Sequence, residues 1–212
     1  MGTLLEDGDL SIERLEPSPF ASNAYIVLWQ STGDSILVDA PANPEILLKR
    51  LEATKPHYIL LTHTHSDHIG ALPILRSSLN IPTAVHVMEA GFSEPVPELL
   101  LKHGEVLHVG KAEIKVLHTP GHTAGSTCFL IGRYLLAGDT IFPGGPGRTS
   151  TPESFQQIVE SIQREILTLP AQTILLPGHG NSCTVKQARE EFAVFASRQH
   201  DPNLCGSVLW LS

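Results

Sequence analysis

The sequence predicts a mixed α/β (α+β) chain of the αββα kind, with two sheets inside and helices outside. Three observations point there: short β-branched segments of alternating polarity, apolar stretches of helical period interleaved with them from Pro44 onward, and Gly-containing loops after several strands.

The segments Leu10–Leu15, Ala24–Trp29 and Ser35–Val38, with a Thr32-Gly33-Asp34 turn between the last two, read as an antiparallel meander. Pro44 opens a helix carrying Ile46, Leu47 and Leu51, which runs out near Lys55-Pro56. His57–Leu61 is a short apolar strand, and Ile69 to Leu79 a helix starting near Ser66-Asp67. Thr83–Val87, Val106–Val109, Ile114–Leu117, Ser126–Ile131 and Tyr134–Leu136 read as further strands, with loops at Ser93–Pro97 and Gly144–Gly147. Pro152 to Leu169 has helical period through Phe155, Ile158, Ile162 and Ile166. The strand Thr173–Leu176 and a helix from Thr184 to about Ser197 follow, and Asp201–Ser212 carries no clear pattern.

The 212 residues fit a single domain, 1–212, since no linker or repeat divides them. A net charge of -8 without a basic run argues against nucleic acid as a partner. The acidic start lacks the apolar stretch of a signal peptide or spanning helix, so no membrane partner and a cytoplasmic location are expected. Cys128, Cys183 and Cys205 share no metal-type spacing and read as ordinary thiols. Oligomeric state leaves no mark in the sequence.

Eleven histidines are the compositional surprise. His63-Thr64-His65-Ser66-Asp67-His68 sets three imidazoles and a carboxylate in six positions directly after a strand, a density that packing rarely needs. Alternate residues of an extended segment share a face, so His63 and His65 can point together, while Asp67 and His68 turn toward a neighbouring point as the helix begins. His122 in Thr-Pro-Gly-His-Thr, Asp139 in Ala-Gly-Asp-Thr and His179 in Pro-Gly-His-Gly each follow a strand. Five histidines and two carboxylates suffice for two metal ions if one carboxylate bridges. A hydroxide between two such ions is a nucleophile near neutral pH, and the ions polarise a carbonyl, so no Ser or Cys nucleophile is needed.

These motifs resemble those of the metallo-β-lactamase superfamily, over nearly the whole chain. The resemblance implies the metallo-β-lactamase-type αββα four-layer sandwich, with His63, His65 and His122 on one metal, Asp67, His68 and His179 on the second, and Asp139 bridging. Asp67 and Asp139 are then the catalytic carboxylates, and Asp39 supports the site from behind without binding metal. Nitrogen and carboxylate ligands without thiolate suit two divalent ions, zinc foremost, with iron or manganese as alternatives. The bland readings differ: Asp67 could cap the helix, and a lone histidine is usually structural, which is the role expected of His57, His86, His103, His108, His118 and His200. Arg148 could hold a substrate carboxylate or brace its loop, and Gly144-Gly145 lacks the Lys-Ser or Lys-Thr of a phosphate loop.

Gly138 to Arg148 looks like the glyoxalase II group, hydroxyacylglutathione hydrolases, which implies a small thioester, or a related ester or lactone, as substrate. Typical members continue into a helical domain that supplies basic residues for glutathione, whereas 33 residues follow His179 here. The rival is persulfide dioxygenase, a mononuclear iron oxidoreductase held by residues matching His63, His122 and Asp139. Its Gly-Arg-Thr-Asp pattern reads Gly147-Arg148-Thr149-Ser150 in this chain. A non-catalytic metal-stabilised binding protein is the third reading.

Overall fold

The alternation along the first forty residues forms a four-stranded antiparallel meander: β1 (Thr3–Asp7), β2 (Leu10–Leu15), β3 (Ala24–Trp29) and β4 (Asp34–Val38). The structure, a computed structural model, describes residues 3–16, 21–91 and 96–212. The loop expected at Ser93–Pro97 lies largely outside them. Two compact units are present, Met1–Leu101 with Leu107–Glu113, and Lys102–Val106 with Ile114–Ser212.

In the first unit the meander continues in parallel through β5 (Lys55–Leu60), β6 (Thr83–His86) and β7 (Leu99–Leu101), giving a seven-stranded sheet in sequential order. α1 (Pro44–Leu51) connects β4 to β5, while α2 (Ser66–Ile69) and α3 (Leu72–Leu79) connect β5 to β6. Leu47 and Leu51 of α1 and Leu72 and Leu75 of α3 bury with Ile26, Leu37, Ile59 and Val85 in one core. Ile12, Val27, Ile36 and Leu60, which point from the opposite face, are also buried. Both faces of the sheet are therefore covered.

Three sequence expectations change here. Neither β1 nor β7 is anticipated: β1 pairs with β2 through its backbone from Thr3↔Arg14 to Asp7↔Leu10 while Leu4 stays half exposed, and β7 is a three-residue strand paired with β6, so the side chains of both carry little signal. The helix expected from Ile69 to Leu79 is two helices, because Pro73 opens a new first turn at α3 and the chain breaks at Gly70-Ala71.

The second sheet has six strands in the order β15-β14-β11-β10-β9-β8: β8 (Val106–Val109), β9 (Ala112–His118), β10 (Thr127–Ile131), β11 (Tyr134–Gly138), β14 (Ile174–Pro177) and β15 (Cys183–Thr184). The expected flexible loop at 144–147 forms instead a small hairpin of β12 (Ile141–Phe142) and β13 (Gly145–Pro146). α4 (Pro152–Ser161) starts with Thr151 accepting from the Ser154 N–H, and α5 (Val185–Ala196) with Thr184 accepting from the Gln187 N–H. The helix expected to run to Leu169 opens at Ile162–Ile166 into a π-helical turn, closed by the Leu167 N–H donating to the Ile162 carbonyl, and Ile158, Ile162 and Ile166 all stay in the core.

The C-terminal stretch that carried no pattern is built into this unit. Gly206 exchanges two backbone hydrogen bonds with Thr149, the Trp210 N–H donates to the Gly144 carbonyl at 2.7 Å, and the fully buried Trp210 ring packs on Phe192. Each unit combines a sheet with helices on it, so the chain belongs to the mixed α/β class the sequence predicts.

Candidate metal centre

In the first unit the loop after β5 is held by a buried carboxylate. Asp39, directly after β4, takes a left-handed backbone (φ 61°), which Asp tolerates better than most residues. Its Oδ1 accepts from the Thr62 N–H at 2.8 Å, and its Oδ2 accepts from the Thr62 hydroxyl at 2.8 Å and from His68 Nδ1 at 2.9 Å. His68 and Asp39 are both almost fully buried. An ionised carboxylate only accepts, so His68 Nδ1 carries the proton and its Nε2 keeps a lone pair.

His63 is fully buried, with Nδ1 against the Thr62 hydroxyl at 3.1 Å and Nε2 3.1 Å from Nδ1 of the exposed His65. The His63 and His68 rings stand 4.2 Å apart. Asp67 lies in the first turn of α2, where the cap position is His65 and no side chain caps. Its Oδ2 accepts from the Ser22 hydroxyl and sits 3.6 Å from His68 Nε2. Between the two first histidines, the Thr64 N–H donates to Glu89 at 3.1 Å, and the Thr64 hydroxyl donates to the same carboxylate oxygen.

In the second unit His122 lies between β9 and β10, Asp139 after β11 and His179 after β14. His122 Nδ1 donates to the Arg148 carbonyl at 2.8 Å, which fixes its lone pair on Nε2. Asp139 Oδ2 lies 3.6 Å from His122 Nε2 and 3.5 Å from His179 Nε2. The backbone is crowded here. A Cβ on Gly147 would overlap the Asp139 carbonyl oxygen and stand 3.4 Å from His122 Nδ1, and one on Gly121 would overlap Ile158. Arg148 extends its exposed side chain beside this loop.

Within each unit the donor separations suit a shared cation. A tetrahedral ion with bonds of about 2.1 Å holds neighbouring ligand atoms roughly 3.4 Å apart, and the separations of 3.1, 3.5 and 3.6 Å bracket that value. Ligating histidines characteristically donate their second nitrogen to a carboxylate or carbonyl, which is the arrangement of His68 on Asp39 and His122 on Arg148. The residues present therefore fit metal ions.

The chain matches the metallo-beta-lactamase superfamily over residues 17–179. It belongs to that superfamily. Among relatives, the "Probable metallo-hydrolase YqgX" of Bacillus subtilis is 30% identical, over 84% of this chain and 94% of its own. The "Hydroxyacylglutathione hydrolase GloC" of Haemophilus influenzae is 27% identical, over 85% and 95%. Among solved structures, a B3 metallo-beta-lactamase, BLEG-1, superposes with a TM-score of 0.78 at 28% identity, covering 84% of this chain and 96% of its own. TTHA1623 in a di-iron-bound form gives 0.68 at 29%, covering 83% and 96%. ETHE1 from Myxococcus xanthus gives 0.76 at 24%, covering 94% and 86%, and shares the fold. Superfamily membership and the histidine and aspartate clusters together support divalent metal ions and hydrolytic chemistry on a small molecule.

Sequence reasoning did not single out Ser22, Thr62, Glu89 or Gly147. Gly147 stood inside a glycine-rich run whose loop reading hid its close approach. Ser22 and Glu89 reach the cluster across 45 and 25 residues, and no local pattern marks such partners. Of the remaining histidines, His57 pairs with Asp34, His86 accepts from the Met88 N–H, His103 from the His118 N–H, and His118 and His200 bond to the Ala124 and Phe195 carbonyls.

Proposed function

We propose that this chain is a binuclear metallohydrolase of the glyoxalase II kind, a single domain working in the cytoplasm on a small thioester or a related ester or lactone. His63, His65 and His122 would hold one ion, Asp67, His68 and His179 the other, and Asp139 both. This set is supported by the family match, which spans all seven residues, and by the donor chemistry within each unit. The observation that carries most weight is the pair of anchored imidazoles: His68 and His122 each commit Nδ1–H to an acceptor-only partner and so keep Nε2 for a cation.

Two bound divalent ions, zinc foremost with iron or manganese as alternatives, would supply a water acidic enough to attack near neutral pH and would polarise the substrate carbonyl. The residues of the chain do the positioning. Asp39 and Thr62 hold His68 and His63, the Thr64–Glu89 bonds hold the span between His63 and His65, and Ser22 orients the Asp67 carboxylate. The Arg148 carbonyl holds His122 while its guanidinium stays available for an anionic substrate group. For a thioester the leaving group is a thiolate, which departs without a protonating acid, consistent with a site built from ligands and their supports. The likeness to GloC, a hydroxyacylglutathione hydrolase by name, supports a thioester substrate.

The test is metal analysis of the purified protein alongside assays with S-lactoylglutathione and with glutathione persulfide plus oxygen. Turnover of the thioester supports this reading, and oxygen uptake on the persulfide replaces it with iron oxygenase chemistry. His65→Ala separates the two again: it abolishes thioester hydrolysis under the binuclear reading, so retained thioesterase activity contradicts it.

A further inference from the structure

The second unit contains a cavity of about 230 Å³ that the metal chemistry leaves unused. One wall is Phe142, Pro146 and Arg148 from the loop after Asp139, and the other is Ser207, Val208 and Leu209 from the C-terminal segment. The segment is fastened to that loop at both ends, by Gly206 on Thr149 and by the Trp210 N–H on the Gly144 carbonyl, while Glu191 accepts from the Gly144 N–H at 2.7 Å. The buried Trp210 ring anchors it from below. A Cβ on Gly145 would stand 2.5 Å from the Val208 carbonyl oxygen, so only glycine lets the two strands of chain approach this closely. The same loop continues to Gly147 and Arg148, which abut Asp139 and His122.

The lining is mostly apolar, with the Ser207 hydroxyl as a neutral polar group and a cation at one place. Arg148 is exposed, and among the described residues its guanidinium enters no ion pair. At roughly 30 Å³ per water-sized group the cavity admits on the order of eight such groups, less than a large ligand needs and enough for one arm of a small one.

We infer that the C-terminal segment 207–209 is a specificity wall, and that with Arg148 it binds one arm of the substrate: a short apolar chain ending in an anion. This deepens the thioesterase reading and rests on it for the word substrate, but the binding it asserts does not depend on turnover. Selectivity would come from the wall, and charge recognition from the guanidinium.

The probes are 3-(propylthio)propanoate, a non-hydrolysable thioether acid, and its uncharged isostere 3-(propylthio)propanamide, titrated calorimetrically into the metal-loaded protein. The acid should bind at least tenfold more tightly than the amide. Arg148→Gln should remove that preference. Leu209→Asp, at a residue 61% exposed, should weaken the amide about threefold or more through the lost apolar contact and the acid at least tenfold through the added repulsion. Leu209→Ser reads the same wall if the Asp variant does not fold, with a loss of about threefold or more for both probes. A preference that survives Arg148→Gln would place the anion on the metals and overturn the proposal, as would equal binding of acid and amide to the unaltered protein. If the binding pattern holds but no thioester is turned over, the pocket stands and the reaction reading fails; thioester turnover without the pattern has the opposite meaning.

Discussion

Replacing Asp39 by Asn tests whether the buried carboxylate sets the protonation of a metal ligand. Asn has nearly the same shape and also tolerates a positive φ, so the backbone at 61° is preserved. The side chain, however, trades one acceptor for two donors. If the new amide nitrogen takes the place of Oδ2, it faces His68 Nδ1 and the Thr62 hydroxyl, and His68 can accept from it only by moving its own proton to Nε2, which removes the lone pair a metal requires. If it takes the place of Oδ1, it meets the buried Thr62 N–H, donor against donor. One unsatisfied buried donor costs about 1–3 kcal/mol, which should appear as a stability loss of the metal-free protein in urea. Loss of an outer carboxylate partner characteristically costs about 10–100-fold in metal affinity, or roughly 1.4–2.7 kcal/mol. A chelator competition titration at constant pH reads that directly. Metal affinity within about twofold of the unaltered protein would refute the claim that Asp39 fixes the His68 tautomer.

Three further outcomes follow from particular contacts. Gly147→Ala forces a Cβ into the Asp139 carbonyl oxygen, so the loop must shift away from His122; metal occupancy should fall and activity drop by about tenfold or more, read by metal analysis and kcat, while an unchanged kcat would contradict the close approach. Burial pushes the Cys128 thiol up to about 11 and the Cys183 thiol up to about 12, whereas Cys205 is exposed, so iodoacetamide at pH 8 should label Cys205 alone in the native protein and all three after denaturation, as counted by mass spectrometry. The hydrogen bond from His57 holds the partly buried Asp34 carboxyl below its ordinary value of 3.8, so the stability it contributes is present above that value and is lost as pH falls through the lowered one; unaltered protein and His57→Ala should differ in urea midpoint at pH 5 and converge near pH 2.

Much of this fold is legible in the sequence where side chains face a core. β2, β3 and β8 have the bounds that alternation predicts, because each stands on a buried face or closes a turn with glycine. β1, the β12–β13 hairpin and β15 are held by backbone pairing in short segments, which leaves hydropathy little to report. The break between α2 and α3 was written in Pro73 but masked by the apolar period on either side of it. The π-helical turn preserved the expected apolar face and so was invisible to periodicity. At the site, the ligand candidates stand out because chemistry concentrates them in short motifs after strands. Their supports do not: Ser22, Thr62 and Glu89 are ordinary polar residues until folding brings them against Asp67, Asp39 and Thr64. The C-terminal wall was equally hidden, since only the backbone bonds to Gly144 and Thr149 give residues 206–210 their place.

The most direct test of the central claim is the metal content per chain measured on the same preparation as its turnover of S-lactoylglutathione in the absence of oxygen. Two divalent ions per chain are expected, with hydrolysis that is lost on chelation and restored when both ions are returned. One iron per chain, with no anaerobic hydrolysis and oxygen consumed on a persulfide, would contradict it.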